Sequence, residues 1–525
     1  MIRDSEQQAD MAPPKRTRGL LACFNGRLIY ACGMIALSQL NFGMDQSAFS
    51  NTQAMPFFKR QFGTFDEATG TYVLETVFLS LLNSIQFIGF VFGLVLGNLF
   101  SRRFGRRLAM FLMCFWALIS GVILITSKTP TQAITGRTIT YVYIGMELAL
   151  VPVLQSELVP AEARGFVVGT YQSGLLFGSL IMSIICRGTS DIKGHASWRI
   201  PYGLFFVIPS ILAVAVWWIP ESPRWLLTRD RQDDALKSLR LLRQGAYTDD
   251  EIEHEFREMQ NALNNTVKKG SFMDMWRGTN LKRTLITIGV NIFLQLTGQN
   301  FASKYGTIFI QSLNSVNPFV MSCINSALNI VAVFLTQFLS DKTGRVPLMT
   351  AGAVLQTASL MTMGGLGTVK NPSQSIRSAI VATVTLFGIG FSLGWAPLSH
   401  VVAAEIPTTG LRDLTYAVGA VFNIVIQWAV AFSIPYLIDQ SHAGLGSKVG
   451  FIFGVTSFLA TLFSWFCIPE CGGKTLEEID ELFAQGVPIR KFRTIKVSLD
   501  AEASDGGDDL TKPGKGNVSQ TTHTL

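Results

Sequence analysis

Charge is scarce in this chain. Only 15% of its 525 residues are Asp, Glu, Lys or Arg, against roughly 25% in ordinary globular proteins, which excludes disorder or a coiled coil for the chain as a whole. There are 7 cysteines, scattered and mostly inside apolar stretches; no pair has metal-ligand spacing and their density is too low for a disulfide scaffold. The net charge of +7 sits on loops and tails, with no long basic stripe, so nucleic acid is not an expected partner. The first residues, MIRDSEQQAD, lack the basic-then-apolar order of a cleavable signal. No nucleophile–base–orienter set and no metal cluster stands out, so neither an enzyme nor a cofactor is expected.

Apolar residues are abundant: 48% of the chain, with 47 Gly and 38 Phe. A bilayer-crossing helix needs about 20 apolar residues. Such stretches occur at 28–50, 76–100, 108–127, 133–158, 166–187 and 200–219, then at 284–312, 318–340, 347–367, 377–404, 414–438 and 448–468. This predicts an all-α integral membrane protein with twelve crossings. Its parts are a segment 1–27, a six-helix bundle 28–219, a central loop 220–283, a second bundle 284–468 and a tail 469–525. Within the loop, DDALKSLRLL and DDEIEHEFREMQNAL set apolar residues at helical steps among charges, predicting short amphipathic helices. After about 487 the tail is polar and Gly-rich and reads as disordered. An even number of crossings puts both termini on one side. The excess of Lys and Arg in the termini, the central loop and the turn at Arg102–Arg107 makes that side the cytoplasm.

The chain repeats itself. GNLFSRRFGRR at 97–107 returns as QFLSDKTGRV at 337–346, SELVPAEARG at 156–165 as AEIPTTGLRD at 404–413, and PESPRW at 220–225 as PECGGK at 469–474. Three motifs in one order at nearly one offset mean a duplicated six-helix unit. Two such units around a midplane site form a transporter architecture.

The ordered motifs resemble the sugar porter family of the major facilitator superfamily, from about residue 25 to 485. They are GMDQ at 43–46, RRFGRR at 102–107, GR at 136–137, VPVLQSELVPAEARG at 151–165 and PESPRWL at 220–226. QLTGQN at 295–300, DKTGR at 341–345, WAPLSHVVAAEIP at 395–407 and LEEID at 476–480 follow, and the flavour is fungal. The resemblance implies transport of a monosaccharide or polyol by alternating access, with a proton as co-substrate, in the plasma membrane. The alternatives are a quinate or sugar-acid permease, a facilitative uniporter, a metabolite exporter and a sensor that binds sugar without moving it.

Polar residues inside apolar helices are the candidates to meet a polyol hydroxyl by hydroxyl: Gln172, Gln295, Asn300, Tyr305, Asn329, Trp395, His400 and Asn423. Five of them, Gln172, Gln295, Asn300, Asn329 and Asn423, fall by resemblance on the family's sugar-contacting positions; interhelical hydrogen bonding is the competing role. Gln295 and Asn300 lie five apart, so an irregularity at Gly298 would have to bring them together. Asp45 and Arg137 match a pair found in proton-coupled members, where protonation releases the arginine; a static buried pair is the alternative. Arg102, Arg106, Glu157, Arg164, Asp341, Arg345, Glu405 and Arg412 cluster at the inner helix ends and read as a breakable cytoplasmic gate. The sequence departs from the family at Ser101 (usually Asp), Leu294 (usually a second Gln), Lys304 (commonly Tyr), His400 (an aromatic) and Ile424 (Trp). The departures at Leu294, His400 and Ile424 point away from plain glucose. Glu147 has no role beyond that of a buried partner.

Overall fold

The computed structural model describes residues 20–67, 70–264, 270–408, 410–474, 476–496 and 519–520. The chain is almost entirely helical. Six crossings precede the central segment: α1 (Gly26–Thr52), α2 (Thr76–Phe104, interrupted at Ile85), α3 (Arg106–Ile125), α4 (Pro130–Leu158), α5 (Ala161–Thr189) and α6 (Ala196–Trp218). The central segment forms two amphipathic helices, α7 (Gln232–Arg243) and α8 (Asp249–Asn264). The later crossings are α9 (Gly278–Leu296) continued by α10 (Gly306–Ser312), α11 (Pro318–Thr343), α12 (Arg345–Leu366), α13 (Gln374–Glu405), α14 (Arg412–Ile438) and α15 (Val449–Cys467). A last helix, α16 (Leu476–Ala484), carries the LEEID motif.

Helix starts follow local chemistry. Proline occupies the first turn of α4 and α11, where its missing N–H is not needed. Thr129 and Asn317 cap those two helices, and Ser373 caps α13, each accepting from backbone N–H groups of the first turn.

Among the described residues nine helices are long and apolar enough to cross a membrane. The other three predicted crossings are α1, α5 and the α9–α10 segment. These carry Asp45, Gln172, and Gln295 with Asn300 respectively; Arg137, Asn329, Trp395, His400 and Asn423 lie on helices among the nine.

The chain packs as two compact units. One comprises residues 1–45, 86–179 and 199–266; the other comprises 46–85, 180–198 and 267–525. In the first, α2 lies close against α4 because Gly89, Gly93 and Gly97 face the backbone of Thr138, Val142 and Met146; a Cβ at any of the three would come within 2.9 Å of α4. This is small-residue packing at four-residue steps. The opposite face of α2 is exposed and apolar at Ile88, Phe92, Val95 and Leu99, as lipid contact requires. Gly43 of α1 faces Leu175 of α5, and Gly178 of α5 faces Leu40 of α1, in the same way. In the second unit Gly352 of α12 abuts Gly390 and Gly394 of α13.

The packed chain runs past 487. Phe492 is fully buried against Phe483, with ring centroids 4.9 Å apart, and Ile495 joins the same apolar cluster. The two aromatic and aliphatic side chains outweigh the polar composition around them, so the boundary at about 487 moves to about 495. Residues 497–518 lie outside the described residues.

Candidate functional site

In the first unit, Asp45 of α1 and Arg137 of α4 form an ion pair with both side chains 2% exposed. Arg137 Nη1 donates to Asp45 Oδ1 at 2.8 Å and to Oδ2 at 2.6 Å, and Nε donates to Gln86 Oε1 of α2 at 2.8 Å. The guanidinium also lies 4.7 Å from the Tyr141 ring centroid, on the next turn of α4. The close approach of α2 to α4 puts Gln86 within reach. Breaking such a pair leaves an uncompensated buried charge, at a cost of about 3–5 kcal/mol, so any step that separates the two needs a proton on Asp45 or a new partner. Gln172 of α5 is half-buried in this unit.

The second unit holds the amide-rich stretch. α9 ends at Leu296, and Gly298 takes φ +94°, a left-handed conformation suited to glycine. A single π-helical turn, Phe301–Tyr305, then restarts the helix. Asn300 Nδ2 thereby reaches Gln295 Oε1 at 3.4 Å, and Gln295 Nε2 donates to Asn423 Oδ1 of α14 at 3.2 Å. The chain of amides continues, since Asn423 Nδ2 donates to the Asn291 side chain at 3.3 Å and Asn291 Nδ2 to the Thr287 carbonyl at 2.9 Å. Asn291 is absent from the sequence-derived set, although its spacing of four from Gln295 is the signal that could have found it.

The remaining candidates are not gathered into this network. Tyr305 is buried and donates to the Ala431 carbonyl at 2.7 Å. Asn329 of α11 faces α13, where a Cβ at Gly388 would lie 3.3 Å from its Oδ1. Trp395 is fully buried in an apolar cluster, its indole N–H without an acceptor among the described residues. His400 is exposed, with Nδ1 3.5 Å from the Tyr416 hydroxyl. Lys304, in the π turn, donates from Nζ to the Asn83 carbonyl at 3.3 Å.

Among the described residues, two ion pairs join the charges at these helix ends, one in each half. Arg106 is bidentate on Glu157, at 3.0 and 2.8 Å; Arg345 Nη2 donates to Glu405 Oε1 at 3.2 Å. Arg102 is exposed, and its carbonyl accepts from Trp225 Nε1 and Arg229 Nη2, each at 2.9 Å. Arg164 and Arg412 are half-buried, and the side chain of Asp341 lies outside the described residues.

Two further carboxylates belong to this end. Glu221 accepts from the backbone N–H groups of Arg106 and Arg107 at 2.9 and 3.2 Å, at the start of α3. Glu470 accepts from those of Arg345 and Val346, both at 2.9 Å, at the start of α12. A carboxylate at a helix N-terminus neutralises free donors and the positive end of the helix dipole. The repeat of PESPRW as PECGGK marked both positions in the sequence without giving their glutamates a role. Arg243, 1% exposed, donates to the Leu158 carbonyl that ends α4 at 2.8 Å and is bidentate on Glu255, tying α7 and α8 to the crossing helices. Arg283 pairs with Asp480 of the LEEID motif and lies 4.3 Å from the Phe483 ring centroid.

The family described as "Sugar (and other) transporter" matches residues 31–483. A major facilitator-type transporter of Aspergillus rugulosus is 30% identical, covering 87% of each chain. The high glucose sensor of Saccharomyces cerevisiae is 30% identical over 86% of this chain and 60% of its own length. The high-affinity glucose transporter of Kluyveromyces lactis is 28% identical over 94% and 92%. Among solved structures, the inward-open xylose transporter XylE from E. coli superposes with a TM-score of 0.71 at 23% identity, covering 87% of this chain and 99% of that one. The chain belongs to the sugar (and other) transporter family of the major facilitator superfamily, and it is a membrane transporter rather than an enzyme.

Proposed function

We propose that the protein is a proton-coupled carrier that takes up a monosaccharide or related polyol by alternating access, in the plasma membrane with both termini in the cytoplasm. The observation that carries this reading is the Asp45–Arg137 pair, held away from water between α1 and α4. A carboxylate beside a guanidinium keeps its charge, and it takes a proton more readily when the partner withdraws. Proton binding at Asp45 is thus tied to separation of α1 from α4, as symport requires. The amides of Gln295, Asn300 and Asn423, with Gln172, Tyr305, Asn329, Trp395 and His400 as further contributors, supply hydrogen bonds to the solute. Two six-helix bundles, 28–219 and 284–468, rock about that site. At the inner ends, the pairs Arg106–Glu157 and Arg345–Glu405, with Arg102, Arg164, Asp341 and Arg412, act as a gate. Partly wet ion pairs contribute only about a kcal/mol each, so the gate stays breakable.

A sugar acid or quinate is the second reading, favoured by Lys304 in the π turn and the exposed His400 beside Tyr416. Labelled glucose, xylose, inositol and quinate offered to cells lacking their own carriers test both. Entry of a neutral sugar, abolished by a protonophore, is the expected result; entry of quinate alone transfers the assignment to the second reading, and protonophore-insensitive entry removes the coupling. Signalling without flux in the same cells would make the protein a sensor. In Asp45→Asn, concentrative uptake is expected to fail while exchange of substrate across the membrane survives.

A further inference from the structure

The α1–α4 contact has a second polar stretch, one to two turns of α1 away from Asp45. Ser38, Asn41 and Asp45 recur at three- and four-residue steps and so share one face of α1. On α4, Glu147 follows Arg137 by ten residues, roughly 15 Å of helix toward the Glu157 end. Between them Tyr143 reaches across to α1: its hydroxyl accepts from Asn41 Nδ2 at 3.1 Å and donates to the Ser38 carbonyl at 3.4 Å.

Glu147 is 0% exposed. The Glu147 carboxyl interacts with the hydroxyls of Tyr143 and Ser38, and none of the ion pairs found among the described residues includes it. Beside it on α1, Asn41 Oδ1 and both polar atoms of the Gln39 amide are buried and unmatched among the described residues. α5 closes the stretch, its Gly174 so near that a Cβ there would lie 2.9 Å from Gln39 Cβ.

The ionisable groups that act on Glu147 are Tyr143 of α4, Asp45 of α1 and Cys114 of α3; α2 contributes none between Gln86 and Ser101. None of these is a cation, and Arg137, ten residues away on α4, is committed to Asp45. An ionised Glu147 would bring several acceptor sites and a full charge into this setting. A neutral Glu147 brings one O–H, for which unmatched acceptor oxygens stand on α1.

We propose that Glu147 is a second proton-binding site of this protein, carrying its proton in the conformation described and separate from the Asp45–Arg137 pair. The ligand is the proton itself, and Ser38, Asn41 and Tyr143 are the polar groups that receive the neutral carboxyl. Protonation of Glu147 stands on its own geometry; its use in coupling rests on the proton-linked reading above. When α1 and α4 part, this stretch opens to water, Glu147 ionises and releases its proton, and it regains one on closing.

The test is infrared spectroscopy of the purified full-length protein at pH 7, following the carbonyl stretch of protonated carboxylic acids. The wild type is expected to show a band that Glu147→Gln lacks, that Asp45→Asn keeps, and that Glu147→Asp displaces in frequency without abolishing. Glutamine preserves size and polarity, and the aspartate variant retains the acid should the amide disturb packing. Spectra identical for wild type and Glu147→Gln would overturn the proposal. So would a carboxylate band from Glu147 that responds to sodium, which would make the stretch an alkali-cation site. Substrate-driven proton movement into proteoliposomes separates the two claims: if the wild type moves no protons while the Glu147 band is present, the symport reading fails and the binding site stands.

Discussion

Gly105 and Gly344 hold the same conformation at equivalent turns of the two halves, with φ +100° and +96°. At each, a Cβ would lie 2.5 Å from a carboxylate oxygen, of Glu221 in one case and Glu470 in the other. The glycine therefore answers two demands: a backbone L side chains rarely adopt, and room for the carboxylate that caps the next helix. Gly105→Ala and Gly344→Ala are each expected to destabilise the protein by about 1–3 kcal/mol. Gly365→Ala, in α12 with open space around it, is expected to be neutral or slightly stabilising. Melting temperatures in detergent check this; equal melting for all three would refute it. Trp395, proposed among the solute contacts, is enclosed by apolar side chains of α9, α12 and α13, and its indole N–H has no acceptor among the described residues.

At the scale of elements, one buried side chain links both central helices to the crossing helices. Arg243 joins the last carbonyl of α4 to Glu255 of α8. Arg243→Ala leaves both partners unmatched, with an expected loss of about 2 kcal/mol. The loss should be local: hydrogen exchange should accelerate in α7 and α8 but not in α3 or α4, and unchanged exchange in α8 would refute it. The end of α14 carries a second fastening. Asp439 accepts from the Thr76 hydroxyl at the start of α2 and from Ser441 Oγ at 2.7 Å. Partial burial works to raise its pKa, but the hydrogen bonds from Thr76, Ser441 and His442 outweigh it and hold the carboxyl below its usual value of 3.8. A lowered folded-state pKa contributes stability that is fully present above the unfolded-state value and lost as pH falls through the folded one. Asp439→Asn should therefore melt below the wild type by the same margin at pH 7 and pH 5, with the gap closing below about pH 4. A gap that widens on acidification would contradict this.

For the whole molecule, the duplication is visible in chemistry as well as in sequence. Among the described residues, each half sets together an arginine–glutamate pair, a positive-φ glycine (Gly105 or Gly344) and a Pro-Glu carboxylate on the following helix start. With an even number of crossings, tags placed at the two termini are expected to become accessible to antibody only after the cells are permeabilised. Labelling of either tag on intact cells would invert or break the proposed topology.

The crossings, the repeat, the amphipathic central helices and the break at Gly298 were legible in the sequence because hydropathy, periodicity and glycine act over a few neighbouring residues. The inner-end arginines and glutamates were legible as a cluster for the same reason. Which arginine holds which carboxylate was not, because Arg243, Glu221 and Glu470 find their partners across long stretches of chain, and only folding decides who is adjacent. Burial follows the same rule. The sequence determined that Glu147 lies inside a membrane helix; the tertiary structure alone decided that no cation among the described residues pairs with it, while Arg137, ten residues earlier on that helix, is brought within 2.8 Å of Asp45. Local composition sets the cost of placing a charge in a helix, and the packing of neighbouring helices sets whether that charge meets a partner.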